Sequence, residues 1–116
     1  MKTRSAPAPG QLALVQGTLD VLILRILSFG PQRGQGISRA IQETCGDVLL
    51  VDHGALYPAL HRLEERGLVA AEWAASEKNR QAKFYKLTTT GRKQLEIQKE
   101  TWALFSEAVA AILRDA

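Results

Sequence analysis

The spacing of apolar residues along this chain changes at Gly67, and that change restricts its fold more than any other feature. Before it, apolar side chains recur at helical intervals; after it they alternate, and near the C-terminus they return to a helical repeat. From Gly17 or Thr18 to Phe29 they are dense enough to predict a helix buried on most sides. Gly30-Pro31 ends it, because proline cannot continue a helix and restricts the residue before it. A second helix fits Gly36 to about Cys45, with Ile37, Ala40 and Ile41 on one face and Gly46 as its stop. Asp52 is suited to cap a third helix running to Arg66, with Ala55, Leu56, Ala59, Leu60 and Leu63 turned inward and Gly67 just past its end. Pro58 fits that helix only near its first turn, where a missing backbone donor costs little.

Beyond Gly67, Val69, Ala71 and Trp73 fall on one side of a strand, and Tyr85 and Leu87 on one side of the next. Between them Ala74 to Ala82 forms a polar loop carrying Glu77, Lys78, Asn79, Arg80 and Gln81, so a two-stranded ribbon with a charged tip is expected. Trp73, Phe84 and Tyr85 are expected to fix the ribbon against the helices. The run Thr88-Thr89-Thr90 offers N-caps for a last helix. In it Leu95, Trp102 and Val109 form one row of a seven-residue repeat and Phe105 and Ile112 a second row, broken by Gln98. A seam of that kind wants a partner helix, so these five apolar residues are expected at a dimer interface.

The chain therefore reads as a flexible N-terminal arm (1–16), a compact unit (17–89) and a C-terminal dimerisation helix (90–116). The class is mainly α with a small β-hairpin (α+β): three helices followed by a hairpin are the parts of a winged helix-turn-helix.

Composition excludes several alternatives. With 46% hydrophobic and 23% charged residues, 116 residues suffice for one globular core. No apolar run approaches the roughly 20 residues that span a bilayer. The most apolar stretch, Leu19 to Phe29, is interrupted by Asp20 and Arg25. No secretion signal is evident at the N-terminus, and Cys45 has no disulfide partner within the chain, so a cytoplasmic location is expected.

The net charge of +3 is unevenly spread: residues 53–93 carry eight Lys or Arg against four Glu, whereas residues 94–116 carry two against four acidic residues. A basic middle suits a polyanion, whose condensed counterions are released on binding.

In that middle the third helix would enter a major groove with its early residues nearest the bases. His53, Gly54, Tyr57, Pro58, His61 and Arg62 lie on its outward side. Gly54 leaves room for close approach, Tyr57 can donate to phosphate, and Arg62 can pair with phosphate or guanine. The bland alternatives are that Tyr57 packs and Arg62 pairs with a nearby Glu. Lys78, Asn79 and Arg80 at the hairpin tip, with Lys83 on the returning strand, are expected along the phosphates or in a minor groove. No nucleophile elbow or phosphate-cradling glycine loop is present, and one Cys with two His gives no zinc spacing, so neither an enzyme nor a metal or other cofactor is implied.

The run Gly54-Ala55-Leu56-Tyr57-Pro58-Ala59-Leu60-His61-Arg62-Leu63-Glu64, followed by Gly67-Leu68, Glu72-Trp73, Phe84-Tyr85-Lys86-Leu87-Thr88 and Gly91-Arg92, closely resembles the signature of PadR-family transcriptional regulators. The similarity runs from about Gly17 to Trp102. Ser76 to Arg80 in the wing and the short C-terminal helix look like the small acidobacterial-type group. The resemblance implies homodimers that bind double-stranded operator DNA, usually repress, and in several cases answer to a small-molecule effector. It implies a recognition helix over His53 to Arg66, a wing over Lys78 to Lys83, and a last helix that packs across the dimer through Trp102 and Phe105. The family usually has an aromatic residue after the glycine of its second-helix motif, where this chain has Gln35 after Gly34. Two other roles fit the same fold: a winged-helix module that binds protein, and a ligand-binding dimer without DNA binding.

Overall fold

The computed structural model describes residues 17–115, and the expected arm lies outside them. Helices α1 (Thr18–Leu27), α2 (Gly34–Thr44) and α3 (His53–Glu65) precede the ribbon strands β2 (Val69–Ala75) and β3 (Gln81–Leu87), and α4 (Thr89–Leu113) closes the chain. A two-residue strand, β1 (Gln32–Arg33), pairs with β3, giving an antiparallel sheet in the order β1-β3-β2. The sequence does not announce β1, since two residues are too few to show an alternation.

One core joins these elements. Leu19, Ile23, Leu24 and Leu27 of α1 meet Ile37 and Ile41 of α2, Leu56, Ala59, Leu60 and Leu63 of α3, and Val69, Tyr85 and Leu87 of the sheet. Ala55, expected inward, is exposed. It lies in the first turn of α3, where its amide donates to Asp52 Oδ1 at 2.9 Å and Asp52 serves as the expected N-cap. Pro58 is not in the first turn. It is the sixth residue of α3 and denies the Gly54 carbonyl its usual donor; both residues are exposed, so water can take the donor's place.

At its other end α3 closes through paired bonds from Gly67 N to Glu64 O (3.0 Å) and Leu68 N to Leu63 O (2.9 Å). Gly67 adopts φ 73°, the left-handed conformation this closure requires.

In the ribbon the alternation holds at its base and lapses towards its tip. Val69 opposes Leu87 and Ala71 opposes Tyr85, all on the side facing the helices. Trp73 continues that row but is 67% exposed, so it does not fix the ribbon as expected; the strands run out past the helices. The polar loop is also shorter than expected, because pairing persists to Ala75 and Gln81. Residues 76–80 make a tight turn in which Asn79 takes φ 57°, a conformation asparagine tolerates better than most residues.

Thr88 begins α4. Its Oγ1 accepts from Gly91 N at 2.9 Å and donates to Gly67 O at 2.7 Å, tying the new helix to the end of α3. Within α4 only Gly91 and Leu95 are buried. Leu95 is 3% exposed among the protomer's own core residues, so it cannot belong to a seam with a second chain. Its row was assigned by period alone, and period does not tell an intramolecular neighbour from an intermolecular one. The helix extends about 37 Å at 1.5 Å per residue and contributes to the elongated 57 × 29 × 21 Å shape.

Candidate nucleic-acid interface

Helices α2 and α3, joined by residues 45–52, form the helix-turn-helix, and the ribbon follows directly as the wing. The N-terminal half of α3 carries an open face. His53, Gly54, Tyr57 and Pro58 are exposed, and His53 meets the Tyr57 ring edge-on with centroids 5.5 Å apart.

Tyr57 both packs and projects. It lies over Gly34 so closely that a Cβ there would come within 2.6 Å of its Oη, yet 41% of it stays accessible. Gly34 is thus the residue that lets Tyr57 lie down between α2 and α3. Its role escapes a reading of α3 alone, because the clash it avoids is with a side chain 23 positions later in the chain.

Further along α3 the side chains turn to other partners. His61 Nε2 is 2.7 Å from Glu65 Oε1 one turn on, with both groups exposed. Arg62 Nη2 reaches Asp20 Oδ1 of α1 at 3.3 Å. The acid was expected to be a nearby Glu, and is instead a buried Asp on a different helix.

At the wing tip Lys78, Asn79 and Arg80 are exposed, and none of the ion pairs of the described residues involves Lys78 or Arg80. Lys83 is half-buried, its Nζ 5.4 Å from the centroid of the Tyr85 ring. The structure brings Lys83 together with Tyr57, and with Arg33, Gln35 and Trp73, around one hollow between α3 and the ribbon. Lys78, Asn79, Arg80, His61 and Arg62 lie outside it. Arg33 could not be singled out from sequence, since it owes its position to the short strand β1.

On α4, Trp102, Phe105 and Ile112 are exposed and Val109 is half-buried; the Trp102 and Phe105 rings sit 5.7 Å apart. Leu104 and Leu113, outside the assigned rows, are also exposed. No helix among the described residues is long and apolar enough to cross a membrane.

A helix-turn-helix with an open first half of its second helix, an adjoining cationic ribbon and a long terminal helix define a winged-helix transcriptional regulator. Residues 23–97 match the Transcriptional regulator PadR-like family, and the chain belongs to that family. A transcriptional regulator of Clostridium thermocellum has a similar solved structure, with a TM-score of 0.77, 25% identity, and coverage of 85% of this chain and 93% of that one. A PadR-like transcriptional regulator of Bacillus cereus has a TM-score of 0.74 at 29% identity, covering 87% of this chain and 96% of that one. A PadR family transcription regulator of Clostridium difficile reaches 0.72 at 28% identity, covering 83% and 98% respectively. An uncharacterised protein of Lysinibacillus sphaericus is 25% identical over 96 residues, 83% of this chain and 88% of its own length. The chain thus stands among transcriptional regulators and not among enzymes.

Proposed function

We propose that this protein is a cytoplasmic, sequence-specific repressor that binds a near-palindromic DNA operator as a homodimer. The first half of α3 from each protomer enters a major groove, the two grooves lying about 34 Å apart. His53, Gly54, Tyr57 and Pro58 face the bases and flanking phosphates, with His61 at the edge of the contact. Lys78, Asn79, Arg80 and Lys83 grip the backbone beside it.

The observation that carries this reading is that Tyr57 of α3 and Lys83 of the ribbon line one hollow, so helix and wing act on one stretch of duplex. Arg62 leaves the DNA-contacting set because its guanidinium is engaged with Asp20. The dimer uses the exposed apolar side chains of α4, Trp102, Phe105 and Ile112, together with Val109; their exposure in the single chain supports that use.

A small-molecule effector releases the operator by favouring a different spacing of the two recognition helices, which requires unequal affinity for the two dimer shapes. The hollow between α1 and α4 lined by Val21, Leu22, Arg25, Lys99 and Trp102 supports such a site.

Titrating the protein against labelled duplex from the region flanking its own gene, at salt concentrations between about 50 and 200 mM, tests the reading through the counterion-release slope. Steep salt dependence and a preference over unrelated duplex are expected. Arg80→Ala should weaken binding to every duplex and flatten the slope. A folded dimer with no affinity for any duplex at low salt would leave the protein-binding module as the better account.

A further inference from the structure

Trp73 is the largest side chain of the ribbon, and an exposed tryptophan on a wing needs a reason. Its surroundings supply one. Across the strands it pairs with Lys83, and Arg33 of β1 borders the same hollow. Tyr57 closes the opposite wall, held over Gly34 with no room for a Cβ beneath it. These residues line a hollow of about 220 Å³ together with Gln35, Gln81 and Tyr85, and no carboxylate is among its lining residues. The indole N–H, phenol and amide groups are neutral donors, and Lys83 and Arg33 are cationic. An apolar ring beside two cations and several neutral donors matches one unit of a nucleic-acid backbone, an anionic phosphate next to an apolar sugar face.

We infer that this hollow seats a single phosphodiester of the duplex backbone with its adjoining deoxyribose, Trp73 forming the sugar-facing wall. The inference rests on the DNA-binding reading and adds to it a site and a residue. Lys83 and Arg33 neutralise the phosphate, while Tyr57 and the indole N–H are placed to donate to its oxygens. The indole face removes the sugar edge from water, a contact that carries no sequence information and fixes the register of the wing on the duplex. Aromatic contact of this kind is nearly independent of salt, whereas the lysine contact is not.

That difference supplies the test. The protein contains two tryptophans, Trp73 and Trp102, so emission is followed during duplex titrations of the wild type and of Trp73→Phe, with binding also read by anisotropy. Addition of duplex should change the emission of the wild type, and most of that change should be missing from Trp73→Phe. Inorganic phosphate alone should produce no such change. Trp73→Ala should weaken binding about tenfold at every salt concentration and leave the salt slope intact. Lys83→Gln should weaken binding and flatten the slope by about one released ion per protomer. Both Trp73 variants should keep the wild-type melting temperature, since the ring is outside the core.

If wild type binds duplex but Trp73→Ala binds equally well, or if the emission change persists in Trp73→Phe, the assignment is wrong and the DNA-binding reading survives. An equal emission change with inorganic phosphate alone also overturns it, because the hollow would then be a free-anion site. If wild type binds no duplex, the parent reading fails first and this one with it.

Discussion

Arg62 Nη2 lies 3.3 Å from Asp20 Oδ1, joining the recognition helix to the first helix of the chain across 42 residues of sequence. Asp20 is 8% exposed, so its carboxylate has little water to turn to. Removing the arginine strands that charge, and removing both partners does not. Arg62→Ala should destabilise the fold by about 1–3 kcal/mol, reduced here because the arginine is partly solvated. Adding Asp20→Asn should recover part of that loss, a coupling that a denaturation cycle measures directly. The salt slope of duplex binding should stay unchanged in Arg62→Ala; a flattened slope would return Arg62 to the phosphates.

The pair also marks the limit of what the sequence discloses here. The helices, the Asp52 and Thr88 caps and the ribbon were all legible, because each rests on local spacing or on a cap within a few residues of its partner. The outward face of α3 was legible as far as Pro58. Beyond it, Arg62 is decided by Asp20, which no local pattern connects to it. Leu95 and Trp102 share a heptad row, yet one is inside the protomer and the other at its surface, since only the start of α4 is packed into the core. Trp73 failed for a related reason: alternation gives the side of a strand, but not how far the helices extend beneath it.

Gly91 is where the chain has least latitude. A Cβ there would come 2.0 Å from the carbonyl oxygen of Leu68 and 2.8 Å from Leu87 Cδ1. The carbonyl is backbone and already accepts from Thr88 N at 3.1 Å, so it cannot move without loosening the start of α4. Gly91→Ala should cost more than about 3 kcal/mol, well above the usual effect of a single substitution. A chemical denaturation midpoint close to wild type would show that α4 can tilt away without penalty.

Pro58 offers the opposite case. It occupies the second turn of α3 at an exposed position, and alanine would restore a donor to the Gly54 carbonyl. Proline inside a helix costs about 3 kcal/mol relative to alanine, offset in part by the freedom proline removes from the unfolded chain. Pro58→Ala should therefore raise stability by about 1–2 kcal/mol, visible as a higher denaturation midpoint. Unchanged or lower stability would mean that the helix is already adapted to the missing bond.

The assignment of α4 to dimerisation is tested by contrasting two residues of one heptad row. Leu95 is enclosed by its own protomer, whereas Trp102 is 45% exposed beside Phe105. Truncating a core leucine costs about 2–5 kcal/mol through lost contacts and the cavity left behind, so Leu95→Ala should lower the stability of each protomer. Truncating an aromatic anchor in an interface acts on association instead, and Trp102→Ala should weaken the dimer at least about tenfold. Sedimentation over a concentration series would show Trp102→Ala shifting to monomer at concentrations where wild type remains dimeric. An unaltered dimer in that variant would remove Trp102 from the seam.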